Sequence, residues 1–145
     1  MVSVTLKNSR YLSLNHGFLG EAMVAKYLDA HIVNSYDYDL LYKNEIKIDV
    51  KTKRTDVKPK PYYECSVADF NTTQNCDWYV FTRVSNSCLR GWILGFLPKK
   101  AFYKKAIFCR KGDVDLSNYF LFKADCYNIK IEDLFPLTDV LISVS

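Results

Sequence analysis

The strongest constraint on this chain is a change of hydrophobic period between residues 36 and 54, YDYDLLYKNEIKIDVKTKR. Ile46, Ile48 and Val50 alternate with Lys47, Asp49, Lys51 and Lys53, the pattern of a half-buried strand, and Tyr38, Leu40 and Tyr42 make the matching alternation before it. A hairpin turning around Lys43, Asn44 and Glu45 joins the two, with Asn44 able to take the left-handed backbone that tight turns demand. That register puts Tyr38, Leu40, Tyr42, Ile46, Ile48 and Val50 on one apolar face. On the other face Asp39 lies opposite Asp49, with Cβ atoms about 5 Å apart and Lys51 two residues along. Asp37 alternates onto the same side as Asp39 and stays a rival for its place.

Upstream the period is helical. Over NHGFLGEAMVAKYLD, from about Asn15 to Asp29, Asn15 is a suitable N-cap and Phe18, Ala22, Ala25 and Leu28 recur at helical spacing. Glu21 falls beside Val24, Ala25 and Leu28 on the edge of the apolar stripe. A carboxylate there needs a partner, because burying an uncompensated charge is costly. A structural salt bridge is the plain explanation to set against a functional one.

Downstream of the hairpin, TDVKPKP (residues 55–61) excludes regular structure and predicts an exposed loop. His31 to Tyr36 is expected as a short strand, Tyr62 to Val67 as extended chain and Ala68 to Asn75 as a short helix. Strands are expected at Asp77 to Val84 and Gly91 to Leu97. Pro98 opens a helix through about Ala106, since proline suits a first helical turn. KADCYNIKIEDLFPL adds a strand and a short terminal helix.

A chain of 145 residues, 49% of them hydrophobic, is long enough for one domain with a single core over residues 1–145. No stretch approaches the roughly 20 apolar residues that cross a bilayer, and MVSVTLKNSR lacks the layout of a signal peptide, so a soluble cytoplasmic protein without membrane partners is expected. Five cysteines without a CxxC pair or a nearby histidine support neither a disulfide framework nor a zinc site. The net charge is only +4, but Lys47, Lys51, Lys53, Arg54, Lys58 and Lys60 crowd one region and Lys99, Lys100, Lys104, Lys105, Arg110 and Lys111 another. Such clusters suit a polyanion; a solvated lysine surface is the plain alternative. Tyr11, Tyr36, Tyr38, Tyr62 and Tyr63 lie near the first cluster in sequence, as packing residues or as platforms for bases.

Two carboxylates held as close as Asp39 and Asp49 repel one another, and unless one is protonated they call for a cation between them. Lys51 neutralises part of that charge as a single point. All-oxygen ligation with room for water is what magnesium or manganese prefers. A metal there would polarise a phosphate and lower the pKa of a bound water. Lys51 would orient that water or stabilise charge on the phosphate, with Glu21 as a further carboxylate. A charge ladder on an exposed strand is the competing reading of DVK alone. His16 and His31 lack a matching cysteine or serine for nucleophilic chemistry and are expected as cap or surface residues.

A helix with glutamate (GFLGEAMVAKYL), a strand with a first aspartate (YDYDLL) and a strand with IDVKTK together resemble the PD-(D/E)XK nuclease superfamily, which includes restriction endonucleases and archaeal-type Holliday junction resolvases. The resemblance covers about residues 15–84, leaving a C-terminal elaboration over about 91–145, and the first motif is YD rather than PD. It implies an α/β, restriction endonuclease-like αβββαβ core, a mixed central sheet flanked by helices. It also implies Asp39, Asp49 and Lys51 as a catalytic triad with Glu21, and magnesium or manganese on Glu21, Asp39 and Asp49. Gln74 sits where some members carry a glutamine, although a helix-surface role is the simpler expectation. The implied activity is phosphodiester hydrolysis, most often of DNA, with Lys47, Lys53, Arg54, Lys58 and Lys60 as the nucleic-acid surface. Small size favours a homodimer that recognises DNA shape, including branched DNA, as a junction resolvase does. A restriction-like or repair endonuclease, or a non-catalytic nucleic-acid-binding module, are the alternatives; DNA against RNA stays open.

Overall fold

A computed structural model describes residues 1–6, 15–115 and 119–138. The central element is a six-stranded sheet in the order β1-β7-β6-β4-β3-β2. Its strands are β1 (Val2–Thr5), β2 (His31–Ile32), β3 (Leu40–Tyr42), β4 (Ile46–Thr55), β6 (Trp78–Ser85) and β7 (Arg90–Pro98). Only the β4–β6 pairing is parallel, so the sheet is mixed. A smaller antiparallel sheet, β5-β9-β8, is built from β5 (Glu64–Ala68), β8 (Ile107–Cys109) and β9 (Cys126–Lys130). Against these sheets pack α1 (His16–Leu28) and α2 (Lys99–Lys105).

The hairpin forms in the expected register, with Leu40 opposite Ile48 and Tyr42 opposite Ile46. Lys43 and Asn44 carry φ of 55° and 57°, and the Glu45 N–H closes the turn on the Tyr42 carbonyl at 3.2 Å. α1 starts where its cap predicts: Asn15 accepts a 2.7 Å hydrogen bond from the Phe18 N–H.

Alternation along β4 divides the core in two. Ile48 and Val50, with Val80 and Val84 of β6, face α1 and pack against Leu19, Met23 and Val24. The residues in between face the other way, where Tyr79, Phe81, Leu94 and Leu97 meet Phe102 of α2 and Val67 and Ile129 of the small sheet. Each fully buried side chain of this kind contributes about 1.5–3 kcal/mol relative to exposure, so the sheet is anchored from both faces. α1 reaches its face at close range because residue 20 is glycine. A Cβ there would lie 2.0 Å from Thr52 Oγ1 and 2.6 Å from Thr82 Oγ1. Those hydroxyls hydrogen-bond each other across β4 and β6 at 2.7 Å.

Several expectations change. Helices lie on both faces of the sheet, α1 on one and α2 on the other, but α2 shares its face with the small sheet, which was not expected. The helix expected over Ala68 to Asn75 is a 3-10 turn, Asp69–Asn71, because β5 continues to Ala68 in the small sheet. The segment between parallel strands β4 and β6 therefore crosses over through β5 rather than through a helix. The strand expected from His31 to Tyr36 stops at Ile32, and Asn34 turns with φ of 57°. After β9 comes a 3-10 turn, Ile131–Asp133, and Leu137 and Thr138 are again helical at the end of the described residues. Tyr38 leaves the apolar face of the hairpin and packs with the second cluster. Edge strand β1 was not anticipated; four residues alternating only partly in burial give too short a pattern to read. All five cysteines are free thiols, four of them buried. Among the described residues, no helix is long and apolar enough to cross a membrane.

Candidate active site

The site forms where β3 stops pairing with β4. The last paired residues are Leu40 and Ile48, so beyond them the β3-side edge of β4 lacks a neighbouring strand. Asp39 lies one residue ahead of β3, pinned on both sides: its N–H donates to the Ile48 carbonyl at 2.8 Å, and its own carbonyl accepts from Val33 N–H at 2.7 Å. Its side chain then takes the place of the missing strand, with Oδ2 accepting from Val50 N–H at 2.8 Å. The open edge also lets Glu21 in from the α1 face, delivered by the close approach at Gly20.

These residues bring three carboxyl groups together. Asp39 interacts with Glu21 on one side and Asp49 on the other, through contacts that a shared proton would make hydrogen bonds. Asp37 is elsewhere: its Oδ1 accepts from Asn75 N–H at 3.1 Å, tying two loops together. Of the two, it is Asp39 that stands beside Asp49. All three grouped acids are held above their usual range. Burial is the main cause for each, and it carries Asp39 and Asp49 to about 6. For Asp39 the Val50 N–H works against burial, and for Asp49 the Lys51 ammonium does.

Asp49 is the deepest of the set at 3% exposure. Lys51 Nζ stands 2.8 Å from its Oδ2, yet that oxygen has no aligned hydrogen bond among the described residues. Lys51 Nζ also donates to Gln74 Oε1 at 3.1 Å and lies 5.9 Å over the Tyr79 ring. Gln74 itself is buried, not a surface residue. Its Nε2 donates to the Tyr36 carbonyl at 2.6 Å and stands 3.5 Å from Asp49 Oδ1. Lys99 Nζ reaches the Gln74 carbonyl, and Tyr79 and Tyr103 hydroxyls meet at 2.9 Å behind the site. Of these, Gln74 carries a signal in the sequence only through the family resemblance; Lys99 and Tyr79 come close through folding alone.

The basic residues named from sequence separate into two groups. Arg54, Lys58 and Lys60 are exposed. Lys47 is half-buried, its Nζ lying 5.6 Å over the Tyr38 ring. Lys53 belongs to the interior instead, since residue 53 alternates with Asp49 and Lys51 onto the inner face. Its stem is half-exposed, but Nζ donates to the Glu64 carbonyl at 3.1 Å and to Ser66 Oγ at 2.9 Å, and burial pulls its pKa down. His16 Nε2 stands 3.1 Å from the Ser85 carbonyl, and His31 is exposed on β2, both outside this cluster. Tyr11 lies outside the described residues.

The donor chemistry suits a hard cation. Three oxygen-bearing acids share one edge, one buried oxygen lacks an aligned partner, and all three are poised to lose a proton to a competing positive charge. As positioned, however, no three His, Cys, Asp or Glu side chains among the described residues form a group ready to hold a metal. No model of a known protein family matches the chain, and no curated protein is similar to it.

Proposed function

We propose that this chain is a divalent-metal-dependent endonuclease that hydrolyses phosphodiester bonds of DNA, with Glu21, Asp39 and Asp49 as metal ligands and Lys51 beside the reacting phosphate. The observation that carries the reading is the buried, unaligned Oδ2 of Asp49, flanked by two further acids and one ammonium. A bound magnesium or manganese ion would polarise the phosphate and activate a water. Glu21 is the least buried of the three acids, so it is the ligand that would swing to complete the set. Lys51, steadied by Gln74, would stabilise negative charge developing on the phosphate. The finer resemblance, to a restriction endonuclease-like core, is supported by the order α1, β3, β4 and parallel β6, with a β5 crossover where that core has a helix.

The experiment is a cleavage panel with and without magnesium on single-stranded, duplex, nicked and four-way-junction DNA. Magnesium-dependent products that vanish in Asp49→Ala support the reading. Paired symmetric cuts on the junction would mark a resolvase; cuts on linear duplex alone would mark a restriction-like or repair enzyme. A second reading, a nucleic-acid-binding module without catalysis, is favoured by the way these polar groups already partner one another: Asp39 with Val50 N–H, and Lys51 with Asp49 and Gln74. Tight DNA binding with no cleavage in either metal would select it.

A further inference from the structure

β4 runs on from Lys51 into a cavity of about 590 Å³ between the central and small sheets. Five of its lining side chains are cationic, Lys51, Lys53, Arg54, Arg83 and Lys123, against a single acid, Asp115. Lys53 and Arg83 sit opposite each other on β4 and β6 and repel, and burial pulls the pKa of both down. Arg83 donates through Nη2 to the Glu64 carbonyl at 2.9 Å and lies 5.1 Å over the Tyr63 ring. Its Nε is a buried donor without a hydrogen-bond partner among the described residues. Asp115 and Glu64 offset part of this charge, and the Arg83 Nε, without a hydrogen-bond partner among the described residues, is a donor that an added anion could take up.

The rim has the opposite character. Phe120 is 73% and Leu121 61% exposed, and both line the cavity. Exposed apolar surface beside a cationic floor matches a ligand with an anionic end and a flat apolar body. A second cavity, of about 390 Å³, shares Lys123 and Ala124 with the first and adds Phe70, itself 71% exposed. Aromatic surface thus continues beyond one residue's reach, while Lys111 and Lys123 there are matched by Asp69 and Asp125.

We propose that the inter-sheet cavity binds one unstacked nucleotide of DNA, its phosphate on Lys53 and Arg83 and its base against Phe120 and Leu121. This rests on the nuclease reading for its relation to Asp49: Lys53 follows Lys51 by two strand residues, about 7 Å, a step comparable with that between successive phosphates of an extended strand. A cavity of this volume takes a small-ligand-sized group and not a base-paired helix, so the nucleotide must leave its stack to enter. The substrate class that follows is DNA with unpaired nucleotides, such as a single strand, a flap or a frayed end.

The test is a fluorescence-anisotropy titration in EDTA, with a labelled DNA single strand and the same sequence as blunt duplex, against the full chain and Phe120→Ala. Phe120 is exposed, so the variant should fold, and its melting curve checks this. The expected result is about tenfold tighter binding of the single strand, reduced about tenfold by Phe120→Ala with duplex binding unchanged. Equal affinity for the two forms, or single-strand binding indifferent to Phe120→Ala, overturns the inference. EDTA separates the two ideas. Magnesium-dependent cleavage without strand preference would discard the pocket and keep the nuclease. Strand-selective binding lost in Phe120→Ala, without cleavage, would keep the pocket and discard the nuclease.

Discussion

Strand β4 carries two charged regions of opposite sign on one face, and in both burial works against the charged form. At Asp49, with Asp39 and Glu21 beside it, burial raises carboxyl groups toward neutrality. Four residues later, at Lys53 with Arg83, burial lowers the pKa of two basic groups. The acids and bases do not neutralise one another, because about 13 Å of strand separates residues 49 and 53 and each group is fixed by its own hydrogen bonds. Only Lys51, midway, bridges the two. At one end three acids stand around one ammonium, Lys51, and at the other Lys53 and Arg83 share a cavity with one acid, Asp115. A metal ion and a phosphate would satisfy both.

The largest expected effect separates the two ends by activity. In the proposed nuclease, Asp49→Ala and Lys51→Ala should lower magnesium-dependent cleavage by about 10²–10³-fold or more, while leaving DNA binding largely in place. Asp39→Asn should follow them. Gel-based cleavage and anisotropy on the same preparations check this. Loss of binding and cleavage together, with a collapsed melting curve, would mean that the acids are structural.

The link between α1 and the acidic end is steric. Gly20→Val would drive a branched side chain into the Thr52 and Thr82 hydroxyls, at a cost of about 1–3 kcal/mol or somewhat more. Calorimetry should show a melting temperature lower by several degrees. Cleavage by the surviving folded protein should fall further than stability does, because Glu21 rides on the displaced turn. A variant that melts early yet cuts normally would remove Glu21 from the site.

How much of this was legible in the sequence follows from the range of the interactions. The Asp39 and Asp49 register could be read because a two-residue period and a tight turn are local: the turn at Lys43 and Asn44 fixes every pair after it. The α1 cap was local for the same reason. Gln74 was underrated because its role comes from a loop folding back 23 residues to meet Lys51, which no spacing rule encodes. Lys53 was placed on the outside because a lysine-rich strand face reads as solvated. What covers it, β5 and β9, is a non-local sheet formed by segments about 60 residues apart. The helix expected before β6 failed where β5 ran on to Ala68 and tertiary pairing overrode local pattern.

A third prediction turns protonation into stability. Raised carboxyl pKa values mean that the folded protein keeps protons the unfolded chain has released between about pH 4 and pH 6. Stability should therefore fall as pH rises through that window. Without metal, unfolding free energy should be higher at pH 5 than at pH 7.5 by on the order of 1–3 kcal/mol. Asp49→Asn should stabilise the metal-free protein at pH 7.5, since burial outweighs what Lys51 returns to the charge. Magnesium should narrow the pH gap in the unsubstituted chain and not in the variant. Denaturant titrations at both pH values would read all four quantities. A flat profile would remove the electrostatic half of the comparison.

The smallest effect concerns the lysines that did stay outside. Lys58 and Lys60 are exposed on the loop after β4, so each should act on DNA through counterion release alone. Replacing either with alanine should reduce the salt dependence of single-strand binding by about 0.7 per lysine, with a modest loss of affinity and no change in melting temperature. Lys53→Gln should behave differently, because its ammonium is desolvated and already hydrogen-bonded to Glu64 and Ser66. Its affinity loss should persist at high salt, where screening has removed the contribution of the exposed lysines. Anisotropy across a salt series distinguishes the two behaviours on one plot, as a change of slope against a vertical offset. Single-strand binding by Lys53→Gln equal to that of the unsubstituted chain at every salt concentration would show Lys53 to be an interior strut, and the basic end of β4 would then have no claim on a phosphate.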